Sequence, residues 1–247
     1  MEMEKTNSKL IEKWKKDYDD SILQDKMDID NILYCEGSSK PLFRGYLHWI
    51  GILGFIITFF LLYEKCNTIL KKIIFSIWIL INIIVCKTSV ILHTYDLNPI
   101  QEIRIQKLDH IMIYINIINH LIQYIFLYNF KDISLYYAYF ILFISIIISS
   151  IGIYLTIKCK KKNHHLFFSL ISLIIIIPLI LKNYSKKNLF YFIFIWLFII
   201  IGLIAYNIKV PISDIFGYHE FFHLFTLVSA FFSVLLEKSL LENDYNK

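Results

Sequence analysis

From residue 45 to residue 236 the chain is a succession of apolar runs, each close to the ~20 residues a helix needs to cross the hydrocarbon core of a bilayer. Seven can be drawn, at 45–63, 73–95, 108–130, 134–157, 165–182, 189–208 and 215–236. The connections are short, so consecutive spans are expected to run antiparallel. Pro178 falls inside the fifth run, where a missing N–H and a ring clash should kink the helix. No internal repeat is evident. The fold class this predicts is all-α: an integral membrane bundle of seven helices.

Composition agrees. Of the 247 residues, 57% are hydrophobic and 18% charged, which makes the bilayer the solvent to reason in. The charge is also unevenly placed. Residues 1–44 hold ten of the 20 Asp/Glu and eight of the 25 Lys/Arg, so the chain divides into a polar N-terminal segment (1–44), a helical membrane domain (45–236) and a short polar tail (237–247). Within the first segment "KLIEKWKKDYDD" reads either as a short amphipathic helix on the membrane surface or as a solvated tail. Those 44 residues contain no apolar signal region, so the first span must serve as its own anchor.

The formal net charge of +5 comes from loop lysines, which suit anionic headgroups and topology rules rather than nucleic acid. With the N-terminus placed in the cytosol, the loops on that side carry 15 Lys/Arg against 9 on the other, and this bias predicts a cytosolic N-terminus. Cys35, Cys66, Cys86 and Cys159 lie in separate segments without a C-x-x-C, so they define neither a disulfide framework nor a thiolate metal site.

Ionisable groups in membrane spans cost a few kcal/mol each on insertion scales, so the exceptions are informative. The second run closes with "SVILHTYD", carrying Ser89 and His93. The third opens with "KLDHIMIY", carrying Asp109 and His110. The seventh opens with "FGYHEFFHLF", carrying His219 and His223. Residues four apart lie one turn apart on one helix face. Antiparallel topology brings the end of span two and the starts of spans three and seven to the same side of the membrane. His93, His219 and His223 can therefore converge with Asp109. Three imidazoles with an open position form the ligand set of a catalytic zinc site, and a neighbouring carboxylate would orient the water.

The remaining histidines read differently. His110 points about 100° away from Asp109 around the helix. His120, beside Asn116, Asn119 and Gln123, belongs to a polar stripe expected to make interhelical hydrogen bonds. His164 and His165 close a basic loop, and His48 in "RGYLHWIG" is expected at the membrane interface.

His219-Glu220-Phe221-Phe222-His223 also spells H-E-x-x-H, the zinc-protease signature. The third ligand such an enzyme needs is missing. Glu237 and Glu242 lie 14 and 19 positions downstream, so Glu237 would already be about 21 Å away along a helix. The protease match is read as accidental.

Ser89-x3-His93, Asp109 and His219-x3-His223, together with the runs "LDHIMIYI", "FGYHEFFHLFTLVSAFF" and "KPLFRGYLHWIG", resemble the hemolysin III / progestin-and-adipoQ-receptor family, within the wider group that includes alkaline ceramidases. The resemblance covers about residues 40–236. It implies a seven-helix fold with the N-terminus in the cytosol. It further implies Zn2+ bound by His93, His219 and His223, Asp109 acting through the metal's water, and Ser89 in support. The activity implied is hydrolysis of a lipid amide, such as a ceramide, or of an ester, with membrane lipids as partners. The alternative is a membrane-perturbing or receptor-like seven-span protein in which zinc is structural.

Overall fold

The computed structural model describes residues 43, 45–95, 97, 99–127, 133–158, 176–178, 180–181, 184–210 and 215–245. Among these residues all regular structure is helical. The helices are α1 (Tyr46–Leu62), which runs into a 3-10 turn (Tyr63–Lys65), α2 (Ile69–Thr94), α3 (Pro99–Leu127), α4 (Ile133–Lys158), α5 (Lys186–Ile208) and α6 (Tyr218–Tyr245).

Among the described residues five stretches are long and apolar enough to cross a membrane: Tyr46–Lys65, Ile69–Thr94, Leu135–Lys158, Lys186–Ile208 and Tyr218–Glu242. The chain is thus a multi-pass integral membrane protein. Seven spans were predicted. The third of these coincides with α3, which is not among the five and carries Asn116, Asn119, His120 and Gln123 along its length. The fifth, 165–182, falls outside the described residues except for 176–178 and 180–181. The stretch "KLIEKWKKDYDD", read as a surface helix or a solvated tail, and the basic loop at 159–165, including His164 and His165, also lie outside them.

Helix ends follow local chemistry. Thr68 caps α2 by accepting from the Lys71 N–H at 3.2 Å, and Ser185 caps α5 by accepting from the Asn188 N–H at 3.2 Å. Lys209, in the left-handed region at φ 56°, ends α5. Pro99 opens α3, where its missing N–H costs nothing. α6 does not stop where its apolar run gives out at residue 236. It continues to Tyr245, with Glu242 paired to Lys65 at 2.8 Å and to Lys238, one turn back, at 3.9 Å.

In lipid, apolar surface alone does not drive helices together, so packing and interhelical hydrogen bonds must do it. α2 shows both. Phe75, Trp78, Asn82, Ser89 and His93 recur at helical spacing on one buried face. Trp78, fully buried, gives its Nε1–H to His120 Nδ1 at 3.1 Å, and its carbonyl accepts from Asn119 Nδ2 at 3.2 Å. The polar stripe of α3 thus bonds between helices, as expected from sequence. Each such bond is worth about 0.6 kcal/mol on average in a membrane. α5 and α6 instead share an aromatic seam: Phe198 stacks between Phe225 and Phe232, and Gly202 gives Phe222 and Phe225 room to approach. Lipid-facing side chains such as Phe60, Ile69 and Phe143 are exposed and apolar.

One end of the bundle is built with particular care. Gly45, at φ 89°, precedes α1, and a Cβ there would collide with the Thr94 hydroxyl at the end of α2. The Phe43 N–H donates to the Ile215 carbonyl at 3.4 Å, and the Phe43 and Phe216 rings meet edge to face at 6.3 Å. The entry to α1 is therefore pinned against both the end of α2 and the entry to α6. Cys66, buried beyond the opposite end of α1, has its thiol pushed by burial up to about 11.

Candidate metal centre

The pinned end gathers imidazoles from three helices. α1 supplies His48 in its first turn, α2 supplies His93 one residue before its end, and α6 supplies His219 and His223 from its first two turns. His93 and His219 are buried and His48 and His223 are partly so.

The predicted histidines are neighbours, but the three whose donor nitrogens all lie within 4.8 Å of one another are His48, His93 and His223, with His219 outside that group. His93 Nε2 and His219 Nε2 lie 3.3 Å apart. The rings of His93 and His223 have centroids 5.1 Å apart, and those of His219 and His223, 4.6 Å. For a tetrahedral zinc with Zn–N bonds of 2.0–2.1 Å, two ligand nitrogens are separated by about 3.3 Å. The His93–His219 pair has that spacing, which a hydrogen bond between the two rings also gives.

His48 was missed from sequence. Its ring lies 4.2 Å from that of His223 and stacks 5.8 Å from that of His93. One donor nitrogen from each of His48, His93 and His223 falls within 4.8 Å of the others, a spread a single ion could bridge with small ring rotations. His48 Nε2 is buried with no hydrogen-bond partner among the described residues. The residue sits in the cluster rather than at the interface. A lone histidine has no i,i+4 companion to mark its face, but Gly45 in "FRGYLH" was a signal for close approach.

Ser89 and Asp109 also meet, the Ser89 hydroxyl donating to the Asp109 carboxylate. This bond links α2 to α3 one turn from His93 on the face of α2 that carries it. A hydroxyl donating to one carboxylate oxygen fixes the carboxylate plane and leaves the other oxygen for a further partner.

Glu220 has a different job from the one its motif suggests. It is 1% exposed, and its Oε2 accepts from the Gly217 N–H at 2.8 Å. Gly217 immediately precedes α6 and Glu220 is its third residue, which is the carboxylate half of a capping box. Glu237 is hydrogen-bonded to Gln123 and Glu242 to Lys65, both toward the far end of α6. The protease reading of H-E-x-x-H has no support in this arrangement.

No curated protein matches the chain. The profile described as haemolysin-III related matches it over residues 37–234, a stretch that includes all four clustered histidines, Ser89 and Asp109. With most of the chain matched, the protein belongs to the haemolysin-III related family.

Proposed function

We propose that this chain is a zinc-dependent hydrolase of lipid amide or ester bonds, with its site at the cytosolic end of the bundle and the N-terminal segment on that side. The observation that supports the reading is the gathering of His48, His93 and His223, with His219 beside His93, at the end of the bundle where Ser89, one turn from His93, bonds Asp109. His93, His219 and His223 would hold the ion. When bound, zinc supplies Lewis acidity toward a carbonyl and acidifies water.

The chain's own groups account for the rest. Asp109, oriented by the Ser89 hydroxyl, takes a proton at its second carboxylate oxygen and can return it to a leaving amine. The helices present an apolar exterior to the bilayer, from which an acyl chain could enter without crossing water.

One observation favours a second reading. His48 groups with His93 and His223, and were His219 to join them, four protein ligands would make a closed, structural site. In that case the protein would be a membrane-perturbing or receptor-like member with a stabilising zinc. The test is release of fatty acid from ceramide-like and ester lipids by purified, zinc-loaded protein, beside an Asp109→Asn variant. Hydrolysis by the first and not by the second supports the enzyme. No cleavage across a broad lipid panel supports the structural site.

A further inference from the structure

Far along α6 from the histidines lies a second set of polar side chains that the proposed chemistry does not use. Glu237 on α6 and Gln123 on α3 are both fully buried, and Gln123 Nε2 donates to Glu237 Oε2 at 3.2 Å. Glu237 is 14 residues beyond His223, which places it about 21 Å away along the axis. Asn188, on α5, is also fully buried. The antiparallel seam of α5 and α6 sets its level: Phe194 meets Phe232 at 5.1 Å, so six residues back along α5 and five residues on along α6 bring Asn188 level with Glu237. Apolar residues Leu121, Ile125, Phe192, Leu236, Leu240 and Leu241 surround this level.

These groups are under-satisfied. Glu237 Oε1, Gln123 Oε1 and both amide atoms of Asn188 are buried without a hydrogen-bond partner among the described residues. Next to them Tyr124 Oη and Ser233 Oγ are 3.5 Å apart and add two more oxygens. A buried polar group without a partner is costly, and an uncompensated carboxylate far more so. Protonating Glu237 would remove its charge and give it one O–H to donate, which serves at most one of the two amide oxygens and leaves the other unpartnered. A cation can take several oxygens together. One carboxylate among neutral amides balances a single positive charge, whereas calcium prefers six to eight oxygens, usually with more than one carboxylate, and magnesium keeps its water.

We propose that Glu237, Gln123 and Asn188 form a binding site for a small monovalent cation of the alkali series, buried between α3, α5 and α6 and separate from the metal centre. Sodium is the probe, since its hard, oxygen-seeking chemistry matches the donor set.

The test is thermal unfolding of the purified full chain in detergent, at constant ionic strength, in NaCl, KCl or N-methylglucamine chloride. Saturating Na+ is expected to raise Tm by about 5 °C over N-methylglucamine. Glu237→Gln, which keeps size and hydrogen bonding but removes the charge, should abolish the rise and leave zinc content unchanged. Asn188→Ala, which keeps the carboxylate, should move the Na+ midpoint at least about tenfold, since one lost ligand of ~1.4 kcal/mol is a factor of ten. Equal Tm in all three salts would overturn the site. So would a Na+ effect that persists in both variants, or a Tm that responds to pH alone, which would make Glu237 a proton site only.

Discussion

His93 Nε2 and His219 Nε2 stand 3.3 Å apart although 126 residues separate them in the chain. Either imidazole alone in a membrane span would be a cost; together they are a pair of donors with the spacing that two ligands of one ion adopt.

Purified protein should carry about one zinc per chain if the clustered histidines hold the proposed single tetrahedral site. His93→Ala or His219→Ala should lower zinc affinity by more than the ~10–100-fold that loss of a supporting residue costs. Elemental analysis after gel filtration reads this directly. Full zinc content in both variants would remove the site assignment.

His48 decides between the two readings of the site. If it ligates permanently, His48→Ala should cut zinc affinity as sharply as His93→Ala, and the Co2+-substituted protein should change its visible spectrum. If the site is open, zinc content stays near that of the unsubstituted protein. In that event any effect should fall on lipid turnover.

Asp109 and Glu220 should behave oppositely. Asp109→Ala is expected to retain its fold and most of its zinc while losing about 10–100-fold in fatty-acid release. Glu220→Gln should keep its activity, since a glutamine at the third helical position can still accept from the Gly217 N–H. A dead Glu220→Gln beside an active Asp109→Ala would reinstate the protease-type roles.

Gly45→Val should destabilise the bundle at the metal end. A left-handed φ costs a residue with a Cβ about 1–2 kcal/mol, and the collision with Thr94 adds to it. A fall in Tm of several degrees is expected, as ~1 kcal/mol moves Tm by about 2–4 °C in chains of this size. Weaker zinc binding should accompany it if His48 is a ligand. An unchanged Tm would mean that the α1 entry is less tightly pinned than its geometry implies.

Orientation has its own test. With an odd number of spans, a tag before residue 1 should be reached from the cytosol and one after Lys247 should not. Both tags on one side would require an even count, and α3 or the run 165–182 would then not cross.

Much of this was legible in the residues, for identifiable reasons. His219 and His223 carry their geometry locally, four residues apart on one helix, and hydropathy alone brings His93 to their side of the membrane. Asn119, His120 and Gln123 announced interhelical bonds by standing together in an apolar run, and they make them with Trp78 and Glu237. His48 was hidden because nothing near it in sequence sets the rotation of α1; Thr94 and Ile215, distant in the chain, do. Glu220 was misleading because its capping role depends on α6 beginning after Gly217, a boundary hydropathy does not resolve. Glu237 was expected at the far membrane face, and only packing against α3 shows it to be interior.

The pinning of the α1 entry to the entry of α6 also bears on biogenesis. Helices are handed to the membrane in order, and α1 and α2 must wait in the bilayer with His48 and His93 before their partners on α6 have been made. During that interval two polar rings have no neighbours to shelter them from lipid, and Phe43 has no Ile215 carbonyl to bind. Pairings this distant in the chain form late and leave exposed intermediates behind them. The half-made protein is therefore the form with the most unsheltered polar surface, and packing of α6 is the event that ends its exposure.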